Sequence, residues 1–196
     1  HVMLNSRSLF PSTTVDRRTG EVYLVFSKWG DWWGQRGPPM GIPEMYFAKF
    51  DNNLNPLITP RVLVDRYTLP IFGNYPDIAV GPDGTLHMVR ETPLPSWGGY
   101  LRLDPNGQVI GNEVLFTGPG TSTETDVVKP KIAVNQLDQQ NNVHIAFISP
   151  GAYYFPGGHV VYMKIRNGQV IINPIRLYTI GAPGTFLGAD EVAIAA

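Results

Sequence analysis

An all-β fold built from repeated four-stranded antiparallel sheets is predicted by three observations. Turn-forming residues are abundant: Gly (21) and Pro (18) supply about a fifth of the 196 residues, where about 12% is ordinary. A short apolar pattern recurs along the chain, as Pro76-Asp-Ile-Ala-Val80 and Pro130-Lys-Ile-Ala-Val134, then as Asp190-Glu-Val-Ala-Ile194 and, in weaker form, as Pro11-Ser-Thr-Thr-Val15, at intervals of roughly 54–65 residues. No sustained apolar stripe at the 3.6-residue helical period interrupts these copies.

Each copy opens a unit, and the elements of a unit follow in one order. The recurring segment is the first strand. A polar turn leads to a second apolar strand: Glu21-Val-Tyr-Leu-Val-Phe26, Thr85-Leu-His-Met-Val-Arg90 and Asn142-Val-His-Ile-Ala-Phe147. After a longer loop comes a third: Met45-Tyr-Phe-Ala-Lys-Phe50, Gly99-Tyr-Leu-Arg-Leu103 and Val160-Val-Tyr-Met-Lys-Ile165. A tight turn then gives a fourth, over 57–64, 108–117 and 169–179. Asp83-Gly84, Asn106-Gly107 and Asn167-Gly168 are pairs favoured where both central turn residues take positive φ. Four short antiparallel strands joined by hairpins and repeated in tandem describe β-propeller blades. An immunoglobulin-like sandwich also uses short strands, but it does not predict aligned four-strand units. The expected division is blade 1 over about 8–70, blade 2 over about 74–124, blade 3 over about 128–186, and the first strand of a fourth over 189–196.

Closed propellers usually need four to eight blades, and an open arc leaves an apolar edge exposed. The chain starts at His1 and stops within an apparent strand at Ala196. The expectation is therefore a segment of a larger propeller, with missing blades supplied by the rest of the chain or by other chains. Composition limits the partners. Lys+Arg (15) and Asp+Glu (16) give a net charge of −1, which argues against nucleic acid as the main partner. No apolar run reaches the roughly 18 residues a membrane-spanning helix needs. With no Cys, disulfides, thiolate catalysis and Cys-ligated metals are excluded.

Two stretches carry a family resemblance: Tyr75-Pro-Asp-Ile-Ala-Val-Gly-Pro-Asp-Gly-Thr-Leu-His-Met-Val89, and Lys131-Ile-Ala-Val with Asn142-Val-His-Ile-Ala-Phe147. Both resemble the P-x-I-A-V-D-x-x-G-x-V-H-V strand pairs of secreted β-propellers of the sialidase-like (BNR-type) and NHL-type families. The resemblance spans nearly the whole chain at the level of the fold. It implies a propeller and a secreted or cell-surface location. The Asp-box Ser-x-Asp-x-Gly-x-x-Trp of the sialidases is missing: the matching hairpins read Leu103-Asp-Pro-Asn-Gly107 and Ile165-Arg-Asn-Gly168. No arginine triad can be placed either, so no catalytic residue carries over.

Function is expected on one rim of the blades. The turns between first and second strands, and between third and fourth, are short and polar, except 135–142. The loops between second and third strands (27–44, 91–97 and 149–158) are long and aromatic, and they hold all four Trp. Aromatic loops on a rigid scaffold suit sugar rings or protein hot spots, and equally suit small satellite cores. The candidate ligand contacts are Trp29, Trp32, Trp33, Arg36, Tyr67, Arg90, Glu91, Trp97, Tyr153 and Tyr154. Arg90 stands where the other units have Phe26 and Phe147, a departure from the repeat's own pattern. It reads either as half of a local ion pair or as a cation for an acidic sugar. His87 and His144 share one repeat position with Tyr23, which reads as a packing or hydrogen-bonding slot in preference to a metal ligand. No metal site or cofactor is expected. Segment 135–142 has calcium-type oxygens but lacks the central Gly and terminal Glu of an EF-hand loop.

The expected function is an extracellular binding or structural module that presents this aromatic face to carbohydrate or a protein partner, and binding is expected over catalysis. Two alternatives stay open: a sialidase-like glycoside hydrolase or polysaccharide lyase, and a purely architectural subunit of a surface assembly. Carboxylates suited to hydrolysis are present near the face, but no spacing selects two of them.

Overall fold

The structure, a computed structural model, describes residues 8–28, 43–64, 71–92, 97–119, 126–137, 139–150, 158–179 and 193–195. All regular structure among them is β, and none of it is a helix that could cross a membrane. The strands form three four-stranded antiparallel sheets, each a simple meander. The first is β1 (Ser8–Val15), β2 (Val22–Lys28), β3 (Glu44–Phe50) and β4 (Pro56–Val62). The second is β5 (Asn74–Val80), β6 (Leu86–Glu91), β7 (Gly98–Leu103) and β8 (Val114–Phe116). The third is β9 (Val128–Val134), β10 (Asn142–Pro150), β11 (Gly158–Arg166) and β12 (Gln169–Thr179).

Period-2 alternation lets each sheet face a neighbour on both sides. Along β6, Leu86 and Met88 join Tyr23, Val25, Met45 and Phe47 in a core between the first and second sheets. Val89, with Tyr100 of β7, joins Val143, Ile145 and Phe147 of β10 in a second core, between the second and third sheets. Each fully buried side chain of this size contributes about 1.5–3 kcal/mol, so the two cores hold the sheets face to face.

The turns differ from expectation in one respect. Asn167 and Gly168 both take positive φ (51° and 80°), as a two-residue hairpin requires. At 83–84 and 106–107 only the glycines are left-handed (86° and 77°). Those loops are longer: Gly81 N–H donates to Thr85 O, and Asp104 N–H to Gln108 O. Asp104 Oδ1 also receives Asn106 N–H at 2.9 Å and Gln108 N–H at 2.8 Å, so a capped wide turn replaces the tight one. The second sheet's outer strand is also shorter than expected. Val109 makes only an isolated bridge to Leu103, and Gly111, at φ 78°, bends the chain before β8.

Candidate functional site

β1, β5 and β9 are the inner strands, and each breaks register at the same repeat position. The breaks lie between Leu9 and Ser12, between Asn74 and Asp77, and opposite Ala146–Ile148, where Lys129 and Pro130 are the unpaired residues. Each break contains an X-Pro step: Phe10-Pro11, Tyr75-Pro76 and Lys129-Pro130. Proline has no N–H for the ladder. The residue before it is left-handed in all three sheets, with φ of 53°, 47° and 46°. That conformation costs an L-residue about 1–2 kcal/mol, and pre-proline sterics oppose helical backbone too. A bulge re-aims the side chain it carries, and three such bulges side by side bring Phe10, Tyr75 and Lys129 together.

The three X-Pro pairs and Lys131 line a pocket of about 330 Å³. It lies where the inner strands begin, at the same end as the loops between second and third strands. The Phe10 and Tyr75 rings pack with centroids 3.9 Å apart, and Lys129 Nζ is 5.9 Å from the Tyr75 centroid. Below this layer, Asp77 ties the sheets together. Its Oδ1 accepts Ser12 Oγ–H at 2.5 Å and its Oδ2 accepts Ile132 N–H at 2.9 Å. At the far end of the inner strands, Gln136 spans from the third sheet to the first: its Nε2 donates to Val15 O (2.9 Å) and its Oε1 accepts Arg17 N–H (3.1 Å). Arg18 Nη1 reaches Pro82 O of the second sheet at 2.8 Å.

Beside the pocket, Glu91 pairs with Asn74, next to Tyr75, in the β5–β6 ladder. Its carboxyl accepts the backbone N–H of Lys129, while burial, and secondarily the charge of Asp126, push its pKa up to about 7. Oε2 of Glu91 is buried without a hydrogen-bond partner. Arg90 is buried, and its Nη2 meets Glu113 Oε1 at 2.6 Å. Nη1 donates to Phe72 O. Burial lowers the Arg90 pKa and Glu113 offsets part of that. Gly73 and Gly99 make this fit, because a Cβ on either would collide with the Arg90–Glu113 cluster or the Glu91 backbone. The Arg90 guanidinium therefore makes an ion pair with Glu113, one of the two roles the sequence offers it. Trp97 closes the neck of the adjoining loop: Thr92 N–H donates to Trp97 O at 2.7 Å and Trp97 N–H to Thr92 Oγ1 at 3.2 Å.

Glu91 and Trp97 thus border the same end as the pocket, and Arg90 ties Phe72 to Glu113 beside them. Trp29, Trp32, Trp33, Arg36, Tyr67, Tyr153 and Tyr154 lie outside the described residues. Sequence reasoning missed Phe10, Lys129 and Lys131, although the signal was present. The residue before each repeat proline and the one after it align as Phe10, Tyr75, Lys129 and as Ser12, Asp77, Lys131.

The shared His position is a hydrogen-bonding slot. His87 Nδ1 lies 2.8 Å from Tyr100 OH, and His144 Nδ1 lies 2.9 Å from Tyr162 OH. In the first sheet the rings are Tyr23 and Phe47, with centroids 6.3 Å apart, and Tyr23 OH donates to Glu21 Oε2 at 2.8 Å. In 135–142, Asn135 Oδ1 accepts Leu137 N–H and Asn142 Oδ1 accepts Arg166 Nε–H, both at 2.9 Å. Among the described residues no three His, Asp or Glu side chains cluster as a metal site.

No family model and no curated protein matches the chain. Solved structures do match in fold. A protein of unknown function from Dyadobacter fermentans DSM 18053 superposes with a TM-score of 0.56 at 12% identity, over 91% of this chain and 56% of that one. A subtype N11 neuraminidase-like protein of A/flat-faced bat/Peru/033/2010 (H18N11) superposes with a TM-score of 0.54 at 11% identity, over 92% of this chain and 43% of that one. The chain therefore spans about half the length of the structures it resembles, and the shared feature is the β-propeller fold.

Proposed function

We propose that this chain is a carbohydrate-binding β-propeller module whose ligand sits at the loop end of its inner strands. The observation that carries the reading is the convergence of three strained X-Pro bulges on one pocket. Strain repeated at one place costs several kcal/mol in sum, and such strain gathers where backbone geometry serves binding. The sequence-derived contacts Trp97 and Glu91 border that end, while Trp29, Trp32, Trp33, Arg36, Tyr67, Tyr153 and Tyr154, which lie outside the described residues, enter the proposal from the sequence alone. A secreted or cell-surface location belongs to the same proposal. The test is tryptophan fluorescence titrated with a panel of oligosaccharides. Saturable quenching is expected, and a flat response to every member refutes the reading.

One observation favours a second reading, glycoside hydrolysis. Glu91 holds a proton near neutral pH while a second carboxylate, Asp126, acts on it, and a carboxyl kept protonated by burial is what a general acid needs. Released sugar from a polysaccharide panel, abolished by Glu91→Gln, supports this reading; binding without release rejects it.

A further inference from the structure

We infer that the two end faces of the sheet array fit each other, and that two copies of this chain join head to tail into one closed ring. The first sheet of each copy lies against the third sheet of the other, and three sheets from each copy make six. This assembly is independent of the carbohydrate reading. The repeats show what each end face is suited to meet. Leu86, Met88, Leu101 and Leu103 of the second sheet are buried against the first. Their counterparts Val143, Ile145, Met163 and Ile165 in the third are buried against the second. In the first sheet the same positions hold Val22, Leu24, Ala48 and Phe50, with Val15 paired to Val22. Of these Ala48 is buried, but Val22, Leu24 and Phe50 are only partly so, and Val15 is 47% exposed. The far end mirrors this. Tyr100 of the second sheet is 1% exposed beneath the third, whereas its counterpart Tyr162 is half-buried. Ile175, paired with Tyr162 across β11 and β12, is 45% exposed. Among the described residues no further sheet lies on either face, and residues 193–195 join no strand.

A turn residue points the same way. Asp51 Oδ1 accepts Asn53 N–H and Asn55 N–H, as Asp104 Oδ1 accepts Asn106 and Gln108, so Leu54 stands where the next sheet has Gly107. Gly107, at φ 77°, lies against Phe47 of the preceding sheet. Leu54, at φ 63°, is 67% exposed. A leucine pays for that backbone where glycine does not, and it enlarges the apolar group formed by Val15, Val22 and Phe50 at the same end. Grouped exposed apolar side chains mark an interaction surface. What covers them must present the face that the first two sheets turn to their successors, with an aromatic ring at the place of Phe47 and Tyr100. The third sheet has Tyr162 there. Length selects a second copy as the partner, because this chain spans about half of the structures it resembles, and six sheets fall within the usual four to eight. A head-to-tail contact made twice about a two-fold axis closes on itself. Inner strands from both copies then surround one axis, and the pocket beside Phe10, Tyr75 and Lys129 is completed by the second copy.

Sedimentation equilibrium on the 196-residue chain, from about 1 to 100 μM, is expected to show a particle of two chain masses. Val15→Lys alters only the first face and Ile175→Glu only the third, both at exposed positions; melting temperature and circular dichroism confirm that each variant folds. Each is expected to weaken association about tenfold or more, because a charge is buried without a partner at both contacts. An equal mixture of the two variants is expected to regain association. One contact of the mixed pair joins unaltered faces, and the other sets Lys against Glu. Rescue on mixing is specific to a head-to-tail contact. A chain that stays monomeric, a dimer that either substitution leaves intact, a dimer that mixing does not rescue, or particles that grow past two copies each overturn the ring.

Discussion

Strand β6 buries a titratable group near each of its ends, and the two ends show how one force gives opposite electrical results. At the turn end, burial lowers the His87 pKa to about 4, so the imidazole is neutral at physiological pH. At the loop end, burial raises the Glu91 pKa to about 7, so the carboxyl is about half neutral there. Desolvation penalises charge whatever its sign. What separates the ends is the surroundings. His87 spends Nδ1 on Tyr100 inside a core between two sheets. Glu91 holds the bulged Lys129 backbone next to an open pocket. The turn end is closed by packing, and the loop end keeps polar atoms beside an open pocket.

The largest break in this contrast is Arg90→Met. The substitution strips partners from Glu113 and Phe72 O. Removing one member of a buried pair costs about 3–5 kcal/mol; because Glu113 is partly exposed, about 3 kcal/mol is expected in chemical denaturation. Arg90→Met with Glu113→Gln is expected to recover part of that loss. If the single variant is as stable as the parent, the ion pair does not anchor the loop end.

How far the sequence foretold this contrast depends on the range of each interaction. The repeat located all three inner strands, because a period-2 pattern and its turns are local. The His–Tyr slot was visible because it recurs. Glu113 as the partner of Arg90 was not, since the pair closes over 23 residues and depends on Gly73 and Gly99 leaving space. Nor was the left-handed turn before each proline, because ordinary pre-proline preference is extended. Only the three-dimensional bulge overrides that preference, and with it went the pocket lysines.

The two titrations sharpen the contrast through opposite pH slopes. A histidine whose folded pKa lies below its unfolded value of 6.5 loses stability as pH falls from 6.5 toward 4, by about 3 kcal/mol for the full His87 shift. A carboxyl whose folded pKa is raised is most stabilising below its unfolded value of 4.5, and that contribution is lost as pH rises through 7. For Glu91, with Asp126 and Lys129 beside it, about 1–2 kcal/mol is expected after solvent screening. Between pH 4.5 and 6.5 the two slopes oppose each other, so the parent's stability is expected to be nearly flat there. His87→Phe is expected to leave a profile that declines with rising pH, and Glu91→Gln one that declines with falling pH. Parallel profiles for both variants would show that neither group carries the burial argued above.

The smallest effect separates the second sheet from the third. His144 and Tyr162 repeat the His87–Tyr100 geometry within 0.1 Å, yet both are only half-buried, where His87 and Tyr100 are 2% and 1% exposed. The third sheet packs over the earlier pair, and the later pair keeps some contact with solvent. Water can then replace the hydrogen bond that a substitution removes, which takes away most of the cost of an orphaned hydroxyl. His144→Phe is therefore expected to cost well under about 1 kcal/mol, and His87→Phe, which strands the Tyr100 hydroxyl in the core, about 1–3 kcal/mol at pH 7. Equal losses at the two positions in urea denaturation would mean that coverage by a neighbouring sheet does not set the worth of this slot.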